Sequence, residues 1–261
     1  MNLIVDFNNT VHRARAGFSR GEHHVTYTFM LMLKKMAITF KPSRLYIVKE
    51  GKARARRELF EDYKANRESA GDDFWRQHGE ILELLSLMPV NILRHADREC
   101  DDTIAHICEV IRKDEECIII SSDSDFTQLL KVDDDRVKLY NPIKDAYISA
   151  TPYDYVEWKS LVGDGSDNIP GFKGIGPKRA EKLLLTPGAL NSFLSEGDNQ
   201  GFFNRNITLI RFEKIDVGLE HKEPSREWET LKEKLTAYNF NSIVNDKNWK
   251  KFVESFSTIV G

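Results

Sequence analysis

Five short apolar runs recur along the first 140 residues, at 3–5, 45–48, 90–93, 117–120 and 137–140. Between them, residues 25–38, 74–87 and 102–111 carry apolar side chains three and four apart. Runs of three to five apolar residues suit strands, and the longer spacing suits amphipathic helices. Strands that alternate with helices and are apolar throughout select a mostly parallel sheet covered by helices on both faces. An α/β fold with a central, mostly parallel sheet is therefore expected over residues 1–155. Beyond about residue 155 the strand signal fades into helical segments punctuated by glycine and proline, so residues 156–261 are expected to form a helical second part.

The remaining composition narrows the class. Of the 261 residues, 41% are hydrophobic and 30% charged, and no run approaches the roughly 18 apolar residues of a membrane span. The first residues, Met1 to Asp6, lack the basic and apolar segments of a secretory signal. Cys100, Cys108 and Cys117 show no CxxC spacing and are odd in number, which favours reduced thiols in a cytoplasm, with Cys108 and Cys117 in the core. A net charge of −3 argues by itself against a nucleic-acid partner. The distribution argues otherwise, since basic stretches at 52–57 and 173–182 remain available to phosphates if carboxylates elsewhere are neutralised by cations.

Those carboxylates stand in short groups where ligands of parallel sheets collect, beyond the carboxyl ends of strands. Asp6 follows the first apolar run, Glu50 lies two residues after the second, and Asp123 and Asp125 follow the fourth. Glu99, Asp101 and Asp102 form a second group, and Asp164 and Asp167 a third. Any one of them alone reads as a turn acid or helix cap. Nine together point to hard divalent cations, which prefer oxygen ligands. Two Mg2+ or Mn2+ ions roughly 3.5–4 Å apart serve phosphodiester hydrolysis, because they stabilise charge and activate water.

Two further segments suit a phosphate backbone. Residues 171–179, Gly-Phe-Lys-Gly-Ile-Gly-Pro-Lys-Arg, read as a tight hairpin leading into a helix started by Pro177. Its glycines allow close approach, the following amides can receive a phosphate, and Lys173, Lys178 and Arg179 add contacts that read no base sequence. Over residues 57–67, a helix would bring Arg57, Phe60, Lys64 and Arg67 onto one face, with Tyr63 beside it to stack on a base.

Taken in order, RRELFEDYKANR, ECDD, SSDSDFTQLL and LVGDGSDNIPGFKGIGPKRAEKLL resemble the arch-base helix, the E-A-D-D and S-x-D-x-D-x-x-Q-L motifs, and the helix-three-turn-helix of the 5′ nuclease family. That family includes the nuclease domain of bacterial DNA polymerase I, stand-alone phage 5′-to-3′ exonucleases and flap endonucleases. The resemblance runs from Asp6 to about Val217. It implies an arch segment around residues 52–80 and a helix-three-turn-helix around 161–185. Asp6, Glu50, Glu99, Asp101 and Asp102 would hold the first ion, and Asp123, Asp125, Asp164 and Asp167 would hold or orient the second. Lys64 and Arg67 would steer the scissile phosphate, Asp123 and Asp164 would also count as catalytic, and carbonyls of Gly174, Ile175 and Gly176 would carry K+. Lys49-Glu50-Gly51 replaces the family's F-D-G, and Asp6-Phe7-Asn8 its D-G-x. The segment between Arg67 and Phe74 is short for the family's arch.

The implied activity is 5′-to-3′ exonuclease and flap endonuclease action on DNA with a 5′ end, flap or nick. Its setting would be removal of flaps or RNA primers in a bacterial or phage-infected cell, beside a replicative polymerase or single-strand binding protein. The absence of a polymerase segment after the nuclease motifs suggests a stand-alone enzyme. Two rivals are a PIN-type ribonuclease, which shares acidic residues without the hairpin, and a non-catalytic junction-binding module.

Overall fold

A computed structural model describes residues 1–17, 19–67 and 70–260. Glu68 and Ser69, inside the expected arch segment, lie outside the described residues. Strand β1 (Asn2–Asp6) runs into helix α1 (Phe7–Arg15), then α2 (His24–Phe40), β2 (Arg44–Val48), α3 (Arg54–Leu59), α4 (Asp72–Leu85) and β3 (Asn91–His95). Helix α5 (Cys100–His106) continues into a π-helical turn, Ile107–Ile111, before β4 (Cys117–Ile120). A 3-10 turn, Ser124–Leu129, precedes β5 (Val137–Asn141) and β6 (Ala146–Ile148). Every apolar run expected to be a strand forms one; β1, β2 and β4 are buried on both faces, whereas β5 alternates buried and half-buried residues. Leu3, Val5, Leu45 and Ile47 pack against Phe29, Leu33 and Ile81 on one side. Ile4, Tyr46, Val48 and Ile119 pack against Ile104, Cys108 and Phe126 on the other, as alternation along a strand requires.

Helix α6 (Tyr155–Val162) follows, and a short hairpin, β7 (Gly163–Asp164) with β8 (Ile169–Pro170), leads to α7 (Pro177–Leu185), α8 (Ala189–Leu194) and α9 (Asn199–Ile210). The chain then returns to the sheet as β9 (Leu219–Lys222) and ends in α10 (Trp228–Ala237), α11 (Asn241–Val244) and α12 (Asp246–Glu254). The seven-stranded sheet has the order β6-β5-β4-β1-β2-β3-β9. Its interior pairings are parallel, and β6 and β9 close the two edges antiparallel. Strand β9 was not expected from sequence, since Leu-Glu-His-Lys has no apolar run. It is an exposed edge whose pairing with β3 supplies what its side chains do not. Leu231 and Leu235 of α10, Phe252 of α12 and Phe256 just beyond it join the same core as α1 and α2. Among the described residues no helix is long and apolar enough to cross a membrane.

Between α6 and α7 two backbones touch. A Cβ on Gly171 would lie 2.0 Å from the Val162 carbonyl oxygen, and one on Gly163, where φ is +86°, would lie 2.3 Å from the Gly171 nitrogen. Only glycine permits that approach.

Candidate metal centre and nucleic-acid interface

Carboxylates from four strand ends converge at the carboxyl edge of the sheet. Asp6 ends β1 and caps α1, accepting from the Asn9 amide at 3.1 Å through Oδ1 and from the Ser121 hydroxyl at 2.9 Å through Oδ2. Asp6, Glu50, Glu99, Asp101 and Asp123 line one cavity of about 440 Å³, with Lys64, Arg67 and Arg57 on its wall. Burial pushes the Asp6 carboxyl up to about 6, with Asp123 adding to the effect of desolvation. Burial and the neighbouring Glu99 push Glu50 up to about 7. Asp101 is raised well above the usual range by burial, then by Asp123 and Asp6. Like charges crowded into a desolvated space disfavour ionisation, and a bound cation would relieve that cost.

Asp123 caps the 3-10 turn by accepting from the Asp125 amide at 2.9 Å, which orients Asp125 toward a second group. Asp125, Asp164 and Asp167 each offer an oxygen within 4.8 Å of the others. Burial pushes the Asp125 carboxyl up to about 6, against the opposing pull of Lys159. Burial also acts upward on Asp164, yet Lys159 and two bonds from Ser166 outweigh it and hold this carboxyl below the usual range. Tyr63 joins the two groups, since its hydroxyl reaches Glu99 at 2.8 Å and Asp167 at 3.2 Å. The donor set is all hard oxygen, which fits Mg2+ or Mn2+ rather than a soft metal.

Three expectations need correction. Asp102 does not face the cavity. It is fully buried, takes two bonds from Arg56 at 2.7 and 2.8 Å and accepts from the Glu99 and Glu213 amides. Both its oxygens are thus committed to a capping box and a buried ion pair, leaving none for a cation. Tyr63 is 3% exposed, so its ring is not available to stack on a base. The single helix through residues 57–67 is also absent. Helix α3 ends at Leu59, Phe60 is extended, and Lys64 has a left-handed φ of 55°. Tertiary bonds replace helical ones here. The Lys64 amide donates to the Asp167 carbonyl at 3.0 Å, Asn168 donates to the Asp62 carbonyl at 3.0 Å, and Asn66 donates to the Gly165 carbonyl at 3.1 Å. Lys64 and Arg67 nevertheless reach the carboxylates. Lys64 pairs with Glu99 and, at 3.5 Å, with Asp167, while Arg67 pairs with Asp167 at 2.6 Å.

Two site residues escaped the sequence reading. Arg56, taken as part of a basic surface, is 4% exposed and holds Glu99 at 2.7 Å as well as Asp102. Nothing in Lys-Ala-Arg-Ala-Arg-Arg separates it from its neighbours. Lys159 is 8% exposed and pairs with Asp125 and, at 2.6 Å, with Asp164. A signal did exist: Tyr155, Val156, Lys159 and Ser160 form the buried stripe of α6, and a lysine there requires an anionic partner.

At the hairpin, Lys173, Gly174, Gly176, Lys178 and Arg179 are exposed, whereas the Ile175 side chain is buried. Gly174 has a φ of +77°, Gly176 precedes Pro177 at the start of α7, and Arg179 donates to the Gly174 carbonyl at 3.4 Å. Cations therefore share one exposed surface at the start of α7, where Pro177 has no amide N–H and the Arg179 and Ala180 amides donate to the Gly176 carbonyl at 3.0 Å.

Residues 1–159 match the family model for the 5′-3′ exonuclease N-terminal resolvase-like domain, and residues 150–243 match that for the 5′-3′ exonuclease C-terminal SAM fold. A 5′-3′ exonuclease of Mycoplasmopsis pulmonis is 29% identical over 97% of this chain and 95% of its own length. One from Aquifex aeolicus is 30% identical over 75% of this chain and 69% of its own. The thermostable DNA polymerase I of Thermus thermophilus is 34% identical over 75% of this chain, a match that spans only 25% of the polymerase. In fold, the chain is similar to a bacteriophage T5 flap endonuclease solved with DNA and metal ions, with a TM-score of 0.67 at 19% identity over 98% of this chain and 99% of that one. Flap endonuclease-1 from Methanococcus jannaschii gives 0.66 at 13% over 98% and 92%. With both parts of the molecule matched in order by the two models of one family, the chain belongs to the 5′-3′ exonucleases, a family of nucleases.

Proposed function

We propose that this chain is a divalent-metal-dependent 5′-to-3′ exonuclease and structure-specific flap endonuclease, hydrolysing DNA phosphodiesters near a 5′ end and removing flaps or RNA primers in replication or repair. The observation that carries the reading is the convergence of eight carboxylates into two adjoining groups with Lys64 and Arg67 beside them. Asp6, Glu50, Glu99 and Asp101 would hold one Mg2+ or Mn2+, and Asp123, Asp125, Asp164 and Asp167 would hold or orient the other. Bound there, the ions would supply charge stabilisation on the phosphoryl oxygens and acidify water. Lys64 and Arg67 orient the scissile phosphate and stabilise the charge that develops on it. Arg57, on the cavity wall, draws the strand inward. At the hairpin, Lys173, Lys178 and Arg179 grip duplex phosphates away from the cut, and carbonyls of Gly174, Ile175 and Gly176 offer oxygen ligands to K+.

The test is a 5′-labelled flap duplex incubated with Mg2+, with and without chelator, followed by mapping of the product ends. Cleavage near the junction that chelator stops, and that Asp123→Ala or Asp167→Ala abolishes while duplex binding persists, supports the reading. Mg2+-dependent turnover retained by both variants, or preference for single-stranded RNA as a PIN-type ribonuclease would show, refutes it.

A further inference from the structure

Lys159 presents its ammonium to a cluster that reads as a cation site. Its side chain leaves the buried stripe of α6, is nearly enclosed, and contacts Asp125 Oδ1 and Asp164 Oδ2, the latter at 2.6 Å. Those two carboxylates and Asp167 carry the oxygens that lie within 4.8 Å of one another. Among the described residues no other lysine, arginine or histidine pairs with Asp125 or Asp164. The adjoining group differs. Glu99 there has Arg56 and Tyr63 besides Lys64, and within the cluster Asp167 is held by Arg67 and, at 3.5 Å, Lys64, which leaves Asp125 and Asp164 to Lys159.

A hard divalent ion bonds carboxylate oxygens at about 2.0–2.6 Å. An ion shared by Asp125 and Asp164 would therefore come into direct repulsive range of an ammonium held on the same oxygens. Both cannot keep their contacts. Lysine has a flexible four-carbon stem and a compact charge that can withdraw, whereas Asp164 Oδ1 is held by the Ser166 amide and hydroxyl, and the Asp125 backbone is pinned by its amide bond to Asp123.

We propose that Lys159 is a tethered counter-ion of the Asp125–Asp164–Asp167 cluster, competing with divalent cations for its oxygens and releasing them when an ion binds. The inference rests on reading the cluster as a metal site. Lys159 thereby does two jobs: it keeps the carboxylates from driving their loops apart without metal, and it sets the concentration at which metal takes over. A salt bridge that only braces the fold would do the first alone.

The experiment uses the full chain without DNA, titrated with Ca2+ by calorimetry and melted with and without Ca2+. Lys159→Met removes the charge and keeps the stem, and Lys159→Arg keeps the charge. Lys159→Met is expected to bind Ca2+ about tenfold or more tighter than the unmodified chain, to melt lower in chelator, and to recover most of that loss in Ca2+. Lys159→Arg is expected to stay within about threefold of the original affinity, since its positive charge persists. Lys159→Met binding no tighter, a melting loss that Ca2+ does not repair, or equal tightening in Lys159→Arg each overturn the competition while leaving the metal reading intact. No Ca2+ binding by any of the three overturns the metal reading and the inference with it.

Discussion

Replacing Arg56 by methionine tests how the cluster is supported and why Asp102 stands outside it. The guanidinium is 4% exposed and donates to Glu99 at 2.7 Å, to both oxygens of Asp102 at 2.7 and 2.8 Å, and to the Leu209 and Arg211 carbonyls at 2.9 and 3.0 Å. Methionine fills part of the volume and makes none of these bonds. Glu99 keeps Tyr63 and Lys64, but Asp102 becomes a fully buried carboxylate with only the Glu99 and Glu213 amides as partners. Removing one member of a buried ion pair costs about 3–5 kcal/mol, a large share of the roughly 5–15 kcal/mol that holds a domain together. At roughly 2–4 °C per kcal/mol for a chain of this size class, the melting temperature should fall by about 6–20 °C. An Asp102→Asn change in the same molecule removes the orphaned charge, so the double variant should be more stable than the two single losses summed, by about 0.5–3 kcal/mol. Asp102→Asn alone should keep Ca2+ binding near that of the original chain, whereas Asp101→Asn should weaken it strongly. Urea unfolding followed by circular dichroism, with calorimetry of Ca2+ binding on the folded variants, measures all of this. A loss below about 1 kcal/mol for Arg56→Met, strict additivity, or abolished Ca2+ binding in a well-folded Asp102→Asn variant would refute the reasoning.

Further outcomes follow from the same geometry. Because Asp6 and Asp125 are pushed up to about 6 and Glu50 to about 7, an ion must displace protons below those values. Ca2+ affinity should therefore rise as pH increases through this range and level off above about 7; affinity that falls or stays flat over the range contradicts the assignment. Lys64→Ala should slow cleavage of a flap duplex by about a hundredfold with little change in its dissociation constant, and a uniform loss of affinity would reduce Lys64 to a positioning contact. Gly171→Ala, whose new methyl meets the Val162 carbonyl, should cost more than 2 kcal/mol and weaken duplex binding, whereas Gly176→Ala, with open space around it, should change stability by under about 0.5 kcal/mol; equal effects would mean that the close approach is not needed.

The strands were legible because runs such as Cys117–Ile120 are apolar on both faces, a pattern that survives in any context. Asp6, Glu50, Asp123 and Asp125 were legible because they follow those runs, where a parallel sheet gathers its ligands, whereas Asp164 and Asp167 follow α6. What failed was local inference where long-range contacts compete with helical bonds. Residues 57–67 have a helical charge pattern, yet Asp167, Gly165 and Asn168 supply partners that straighten and turn the chain. Strand β9 is specified by the open edge of β3, not by its own side chains.

By itself, then, the order of residues determined the α/β sheet, the positions of the acids along it and the glycine hairpin, because periodicity and strand-end placement are local properties. Only the tertiary structure decided which acids share a space. It turned Asp102 inward to Arg56, buried Tyr63 between the two carboxylate groups and set Lys159 on Asp125 and Asp164. The reason is physical: whether a charge meets a cation, a partner or solvent depends on the few ångströms around it, and residues about a hundred positions away fill that space, as Arg67 and Asp167 do for one another.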